Sequence, residues 1–468
     1  AAFDLARGPD GNWWVVSQRT QAPSGLGYLL ENRLSISRLF PKAFEAMHVQ
    51  RLAATYRALI EGLKAMSPAG ADSHIALLTP GPYNETYFEH AYLARYLGLT
   101  LVEGSDLTVR DQRVYLKTLR GLEPVHGLLK RLDDEFLDPL ELRPDSTLGV
   151  PGLLQAIRAG NVLVANAPGS AFLESSALLG FLPALSRHLL GEDLQLPALP
   201  TWWCGERASL EAVLPQLDKC VIKPTYPGSA SHGSFEAALG RSMSRRELDE
   251  WAGRILREGD IHTTQTWLPL SQMPTWEPRV GGDRIEPRSM MLRVFAVADG
   301  PQSWRVLPGG LARLASASEG IATMQRGGSS ADAWVLTDVE KGETVDRTTL
   351  LAPHQTPAAV VQRKRLVTSR AAENLFWMGR YTERAENSIR LARITINRLN
   401  GEDAAAPALL AWLGDMAMKS TLVLPGVPSA VQARRVFERS LIASLDSRDG
   451  ATSVGYNLRA LKLNASSV

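Results

Sequence analysis

The chain has 468 residues, enough for two to four domains, and 45% hydrophobic with 21% charged residues is the balance of an ordinary globular protein with ample core material. A formal net charge of +2 gives no reason to expect nucleic acid or an anionic membrane as partner. No apolar run approaches the ~18 residues a transmembrane helix needs, so neither nucleic acid nor membrane is expected.

The opening AAFDLARGPDG lacks the basic and apolar regions of a signal peptide and begins in mid-motif, which suggests part of a longer protein. Short strands around Phe3–Ala6 and Trp13–Val16 flank the turn Gly8-Pro9-Asp10-Gly11, the pattern of a hairpin. Helices are expected near Leu29–Leu39 and Phe44–Lys64. Strand His74–Leu78, helix Tyr87–Leu97 and strand Thr100–Val102 have the spacing of a βαβ unit with a parallel sheet. The pattern returns with strand Val162–Ala165, helix Ala171–Leu190 and strand Lys219–Lys223.

Ser244 and Glu247 form a capping box that opens a helix over Arg245–Arg257. Strands Thr263–Leu268, Met290–Val297 and Trp304–Leu307 follow, the last ended by Pro308-Gly309-Gly310. Arg326 to Ser330 (RGGSS) reads as a loop. Lys341 to Arg365 is polar and without periodicity, a linker between an α/β part and a helical part. Cys204 and Cys220 are the only cysteines, too few for a disulfide framework and without zinc spacing; they read as packed thiols, suited to a reducing cytoplasm.

Beyond Thr368 the sequence is helical. Glu373 to Ile394, ENLFWMGRYTERAENSIRLARI, holds seven charges and three aromatics, more charge than a core helix carries and more aromatic surface than a solvated one. Trp377, Tyr381, Arg384, Ser388 and Leu391 share one face, and Glu386 pairs with Arg390 at i,i+4. This run resembles the opening helix of the alpha-E domain, a module found beside circularly permuted ATP-grasp proteins. Upstream segments are similar to the permuted type 2 ATP-grasp family: Thr20–Arg33 (TQAPSGLGYLLENR), Glu89–Leu107, Val114–Leu142, Cys220–Gly233 (CVIKPTYPGSASHG) and Trp304–Ala315.

The resemblance implies an α/β, circularly permuted ATP-grasp with mixed and parallel sheets followed by an all-α module. Its boundaries would be 1–65 for the hairpin and helices completing the permuted fold, 66–345 for the core, 346–366 for the linker and 367–468 for the helical domain. It also implies an ATP-dependent carboxylate–amine ligase or a descendant of one, with ATP and Mg²⁺ as cofactors. Carboxylate and amine substrates, small or peptidic, and a protein partner on the helical Trp377/Tyr381/Arg384 face are the expected partners.

Residue by residue, a buried strand delivers Lys223 at its end, where a lysine suits a polyphosphate. Gly228, Ser229 and Gly233 lie in a small, polar segment able to fold backbone N–H groups over phosphate oxygens. Gln265 and Trp267 stand at the place where the family's hinge reads and sandwiches adenine; an amphipathic edge strand explains them equally well. Arg293 lies on a core-directed face and requires an anionic partner, a phosphate or a buried carboxylate; Arg288 and Arg313 are similar candidates. Arg131, in the densest acidic run of the chain, could hold a substrate carboxylate, and Asp133 and Glu141 could meet Mg²⁺. Asn166 caps a helix or meets a ligand.

In related permuted enzymes an Asp on the first strand and a Glu-x-Asn on the second bind magnesium. Asp4 matches the first, but Ser17 and Arg19 stand at the others. Three outcomes remain open from sequence: metal held by Asp4 with the Asp133–Glu141 cluster, metal charge replaced by Arg19, or chemistry lost on a degenerate scaffold.

Overall fold

The computed structural model describes residues 1–227, 235–277, 282, 284–315, 328–338, 367–401, 406–448 and 453–467. These fall into two compact units. One is built from Ala1–Tyr115 and the described part of Pro124–Lys364, the other from Leu116–Glu123 and the described part of Arg365–Val468.

The first unit is mixed α/β with three principal sheets. Ile75–Leu78, Thr100–Val102, Gly127–Lys130 and Leu163–Ala165 form a wholly parallel sheet, in the order second, first, third, fourth along the chain. Helix Tyr87–Leu97 crosses between the first two strands and stops at Gly98 in the left-handed conformation, so the expected βαβ unit is present. All four residues of Ile75–Leu78 are buried, as befits a strand covered on both faces.

A second sheet is antiparallel, with His262–Thr266 between Thr201–Trp203 and Cys220–Pro224, and Ala238–Leu239 at its edge. Its core includes Cys204, Cys220, Ile222 and Ile255. Both cysteines are free thiols there, and burial pushes each up to about 11.

The third sheet has seven strands and joins the two ends of the unit. The N-terminal hairpin, Ala2–Arg7 with Trp13–Arg19, pairs as the turn residues predict. Ala2–Arg7 also pairs antiparallel with the 15-residue strand Arg284–Ala298, placing Asp4 opposite Arg293. Gly309–Leu314 lies on the other side of that long strand and pairs in turn with Ser329–Trp334.

Several expectations are corrected. Phe44–Lys64 is two helices, Pro41–Ala46 and Ala53–Met66, because His48 takes a positive φ and Val49 bridges to Leu336. Ala171–Leu190 begins as the 3-10 turn Ser170–Glu174 before helix Leu178–Leu190. Gly309 and Gly310 start a strand rather than merely ending one; a Cβ on Gly310 would sit 2.6 Å from Leu292 Cδ1 and 3.0 Å from the Arg293 carbonyl, so a larger residue there would make Leu292 shift. Ser329 and Ser330 belong to a strand, whereas 316–327 and 341–365 lie outside the described residues. The capping box at Ser244 is present, with Glu247 N–H donating to the serine hydroxyl.

The second unit contains the 32-residue helix Ser369–Asn400, capped by the Thr368 hydroxyl, and helices Pro407–Lys419, Arg434–Leu445 and Val454–Ser466. The inward seam of the long helix is Met378, Tyr381, Ala385, Ser388, Ala392, Thr395 and Leu399, alternating steps of three and four. This seam is set one residue from the expected face: Tyr381 and Ser388 belong to it, while Trp377 and Arg384 are exposed on its flank. Trp377 stacks on Tyr381 with centroids 5.7 Å apart, and Tyr381 meets Tyr456 edge-on.

Candidate functional site

The antiparallel pairing that opens the chain brings Asp4 to the centre of a cationic cluster. Its carboxylate is 2% exposed and accepts from Arg293 Nε (2.8 Å) and Nη2 (2.9 Å), from Ser17 Oγ (2.8 Å), and contacts Arg313 Nη2 at 2.7 Å. Burial by itself would raise the Asp4 carboxyl. Hydrogen bonding to Arg293 and the charges of Arg293, Arg313 and Arg19 outweigh it and hold the group well below the usual carboxylate range. The anion that Arg293 requires is thus, within the protein, a buried carboxylate.

Lys223 approaches from the second sheet. Its ammonium donates to Gln265 Oε1 at 2.5 Å and to the Val16 carbonyl at 3.2 Å, so it reaches the N-terminal hairpin. Burial pulls it down to about 8, with Asp4 acting against that shift and Arg19 adding to it. Gln265 is buried, and its amide donates to Thr201 Oγ1 at 3.0 Å and Val16 O at 3.3 Å, so its side chain is committed to holding Lys223. The Thr266 and Trp267 amides are taken by Pro200 O and Lys219 O, and the guanidinium of Arg241 lies 3.9 Å from the centre of the Trp267 ring. Gly228, Ser229 and Gly233 lie outside the described residues.

The Thr20–Gly25 segment, which carries the family-like TQAPSG motif, is stitched down from several sides. Glu174 accepts the Thr20 and Gln21 amides at 2.7 Å and lies 3.6 Å from Arg19; Asn166 donates to the Thr20 carbonyl. Lys130 donates to Gln21 O, Arg131 to Pro23 O and Arg293 to Ser24 O. Glu89 accepts the Gly25 and Gly27 amides. Gly25 has φ +112°, and an added Cβ would meet Leu311, Phe295 and Arg293 at 3.1–3.4 Å, so the segment can lie against the long strand only as glycine.

The proposed metal set is not assembled. Asp133 accepts from Gln21 Nε2 at 3.0 Å, and burial raises its carboxyl against the pull of Lys130. Glu141 pairs with Arg158. Among the described residues no three His, Cys, Asp or Glu side chains converge to hold a metal ion. Asp4 has both oxygens occupied by four donors and is flanked by guanidinium groups, so it does not fit a magnesium ligand in this arrangement. Arg288 is paired with Glu277 at 2.7 Å. Of the histidines inside family-like motifs, His90 is held between the Thr79 and Thr86 hydroxyls, and His232 lies outside the described residues.

Sequence reasoning missed Glu89 and Glu174. Glu89 opens a family-like segment and Glu174 ends a 3-10 turn, but the partners of each are main-chain amides 62 to 154 residues away.

Comparison with known proteins agrees with this architecture. Residues 1–315 match the family described as circularly permuted ATP-grasp type 2. The chain belongs to that family. Residues 367–468 match the Alpha-E domain, described as alpha-helical with a conserved ER motif; Glu-Arg pairs occur here at 383–384 and 438–439. Among relatives of this ATP-grasp chain, an uncharacterised protein of Synechocystis sp. is 36% identical over 335 residues, covering 71% of this chain and 68% of that protein. Two uncharacterised proteins of Mycobacterium tuberculosis are 37% identical over 338 residues (72% of this chain, 60% of theirs) and 34% over 423 residues (88% and 46%). The chain therefore spans between 46% and 68% of the length of these relatives. A glutathione synthetase-like effector of Globodera pallida shares 12% identity with a TM-score of 0.45, covering 72% of this chain and 75% of that one. Among the described residues no helix is long and apolar enough to cross a membrane.

Proposed function

We propose that this chain is an ATP-dependent carboxylate–amine ligase working through an acyl phosphate. The observation that carries the reading is the cluster in which Lys223 from one antiparallel sheet, and Arg19, Arg293 and Arg313 from another, surround Asp4 at the N-terminal hairpin. Four cations there face Asp4 and Glu174, leaving an excess of positive charge suited to a triphosphate. Family membership supplies ATP as the expected nucleotide.

In this reading a substrate carboxylate oxygen attacks the γ-phosphorus. The bond from that phosphorus to the β–γ bridging oxygen breaks, and ADP departs with the electron pair. An amine then attacks the acyl phosphate carbonyl, phosphate leaves, and the amine proton passes to solvent, giving an amide. The protein's part is positioning and charge neutralisation, which is most of what phosphoryl transfer asks of an enzyme. Because Asp4 does not fit a metal ligand, the neutralising charge is assigned to Lys223, Arg293 and Arg313. The exposed flank of the helical module, Trp377 and Arg384, is the surface offered to a protein partner, and the buried free thiols suit a reducing cytoplasm.

A second reading, a degenerate scaffold that binds nucleotide without turnover, or binds none, and serves as an assembly platform, is favoured by the same saturation of Asp4. Titration with a non-hydrolysable ATP analogue and phosphate release across a panel of acids and amines separate the two, with Lys223→Ala as control. Turnover lost in Lys223→Ala supports the ligase; binding without turnover across the panel, or no nucleotide binding at all, overturns the ligase and supports the scaffold.

A further inference from the structure

We infer that Glu174 is a positioning residue for the nucleotide site: it fixes Arg19, on the N-terminal hairpin, against the strand that ends in Lys223. The assignment rests on the reading in which this cluster of cations holds a triphosphate. Glu174 itself touches no phosphate in that reading and acts through the two cations.

The two carboxylate oxygens of Glu174 have separate tasks. Oε1 accepts the amides of both Thr20 and Gln21 at 2.7 Å, and Oε2 lies 3.6 Å from Arg19 Nη1. Hydrogen bonds from amide N–H groups to an ionised carboxylate are of the stronger kind. These fall on the first two residues beyond the strand Trp13–Arg19, so they fix where that strand ends and how Arg19 leaves it. Glu174 is the more buried partner of the ion pair, with its side chain 12% exposed against 38% for Arg19.

The turn that carries Glu174 is tied on both sides. Gln18 Nε2 donates to Leu173 O at 2.5 Å and Thr20 Oγ1 to Ser170 O at 2.7 Å, which lays Ser170–Glu174 along the end of the hairpin. Ser176 follows and is buried. Its Oγ donates to Pro224 O at 2.7 Å and its N–H to Thr225 O at 3.0 Å. Asp134, just beyond the parallel strand Gly127–Lys130, accepts the Gly169 amide at 2.9 Å. Residues 170–176 thus join the strand end that carries Arg19 to the strand end that carries Lys223, although the two strands belong to different sheets.

The charges follow the same route. Arg19 helps hold the Asp4 carboxyl low and draws Lys223 down, while Glu174 supports the charged form of Arg293. Arg19 is compensated by Glu174 and, across the cluster, by Asp4. With Glu174 neutral, Asp4 is left to compensate it, and an Arg19 drawn toward Asp4 comes closer to Lys223.

The test compares Glu174→Gln and Glu174→Ala in the full chain, by calorimetric titration with the non-hydrolysable ATP analogue and by NMR titration of the Lys223 side chain. Glutamine keeps an oxygen for both amides and loses only the charge, whereas alanine loses both. At pH 7, Glu174→Ala should weaken the analogue about tenfold, and Glu174→Gln should recover affinity to within about threefold of wild type. The Lys223 titration should fall by about half a unit in Glu174→Gln and rise by a similar amount in Arg19→Ala. Should Glu174→Ala fail to fold, Ser176→Ala releases the other end of the same stretch and should weaken the analogue about threefold. Wild-type affinity in the variant that removes either end, no recovery in Glu174→Gln, or a Lys223 titration unmoved by Glu174→Gln would each overturn the inference. The failures are distinguishable. An analogue bound equally by wild type and variants removes Glu174 alone. A wild type that binds no analogue, with Lys223 still shifted in Glu174→Gln, removes the nucleotide reading and leaves Glu174 holding Arg19 beside Lys223.

Discussion

Asp4 and Arg293 face each other on neighbouring antiparallel strands, joined by hydrogen bonds of 2.8 and 2.9 Å although 289 residues separate them in the chain. The pair is buried, and Arg313 completes a carboxylate held between two guanidinium groups. Removing one member of such an assembly leaves uncompensated charge in the interior. Asp4→Asn should lower stability by about 3–5 kcal/mol at neutral pH, read by denaturant unfolding. A carboxyl held below its unfolded value stabilises above the unfolded pKa and loses that contribution as pH falls toward the folded one. The gap between wild type and Asp4→Asn should therefore be constant from pH 7 to 5 and narrow below about pH 4.

Lys223 gives a prediction of the opposite sign. Its folded value of about 8 lies below the ordinary 10.5, so burial of the charged form costs stability below pH 8 and that cost is relieved as pH rises. Nucleotide binding needs the ammonium. Affinity for the ATP analogue should hold from pH 6.5 to 7.5, then fall toward tenfold per unit above about 8. Lys223→Arg should flatten that profile, and an unchanged slope would remove Lys223 from the nucleotide contact.

Gln265 acts on nucleotide through Lys223. Loss of its 2.5 Å bond in Gln265→Ala should weaken the ATP analogue by roughly fivefold, the worth of about 1 kcal/mol, and shift the pH midpoint of binding. A weakened affinity with the midpoint unmoved would indicate a merely structural effect.

Charge neutralisation by arginine predicts a particular response to metal removal. Affinity for the ATP analogue in excess EDTA should stay within about threefold of its value with Mg²⁺, whereas Arg313→Ala should lose at least tenfold in either condition. A hundredfold loss on chelation would return the site to metal.

In the helical unit, Phe437 is fully buried among Leu399, Ala417, Leu422 and Leu441. Phe437→Ala should cost about 3–5 kcal/mol, seen as a lowered unfolding midpoint by circular dichroism at 222 nm.

The hairpin, the βαβ unit, the Ser244 capping box and the helix beginning at Ser369 were legible because each is written in short-range signals: turn residues, a change of hydrophobic period, a Ser-x-x-Glu spacing. The break at His48, the strand begun by Gly309 and the one-residue offset of the long helix's seam were not, since each depends on what packs against the segment.

The sequence by itself determined the N-terminal hairpin, the βαβ unit, the family and a requirement for an anion opposite Arg293. Tertiary structure decided that the anion is Asp4, that Gln265 holds Lys223, and that Glu89 and Glu174 fasten the Thr20–Gly25 segment. The reason is range. Backbone propensity and periodicity act over a few residues, whereas these hydrogen bonds join groups 42 to 289 residues apart and exist only once separate strands and helices are packed together.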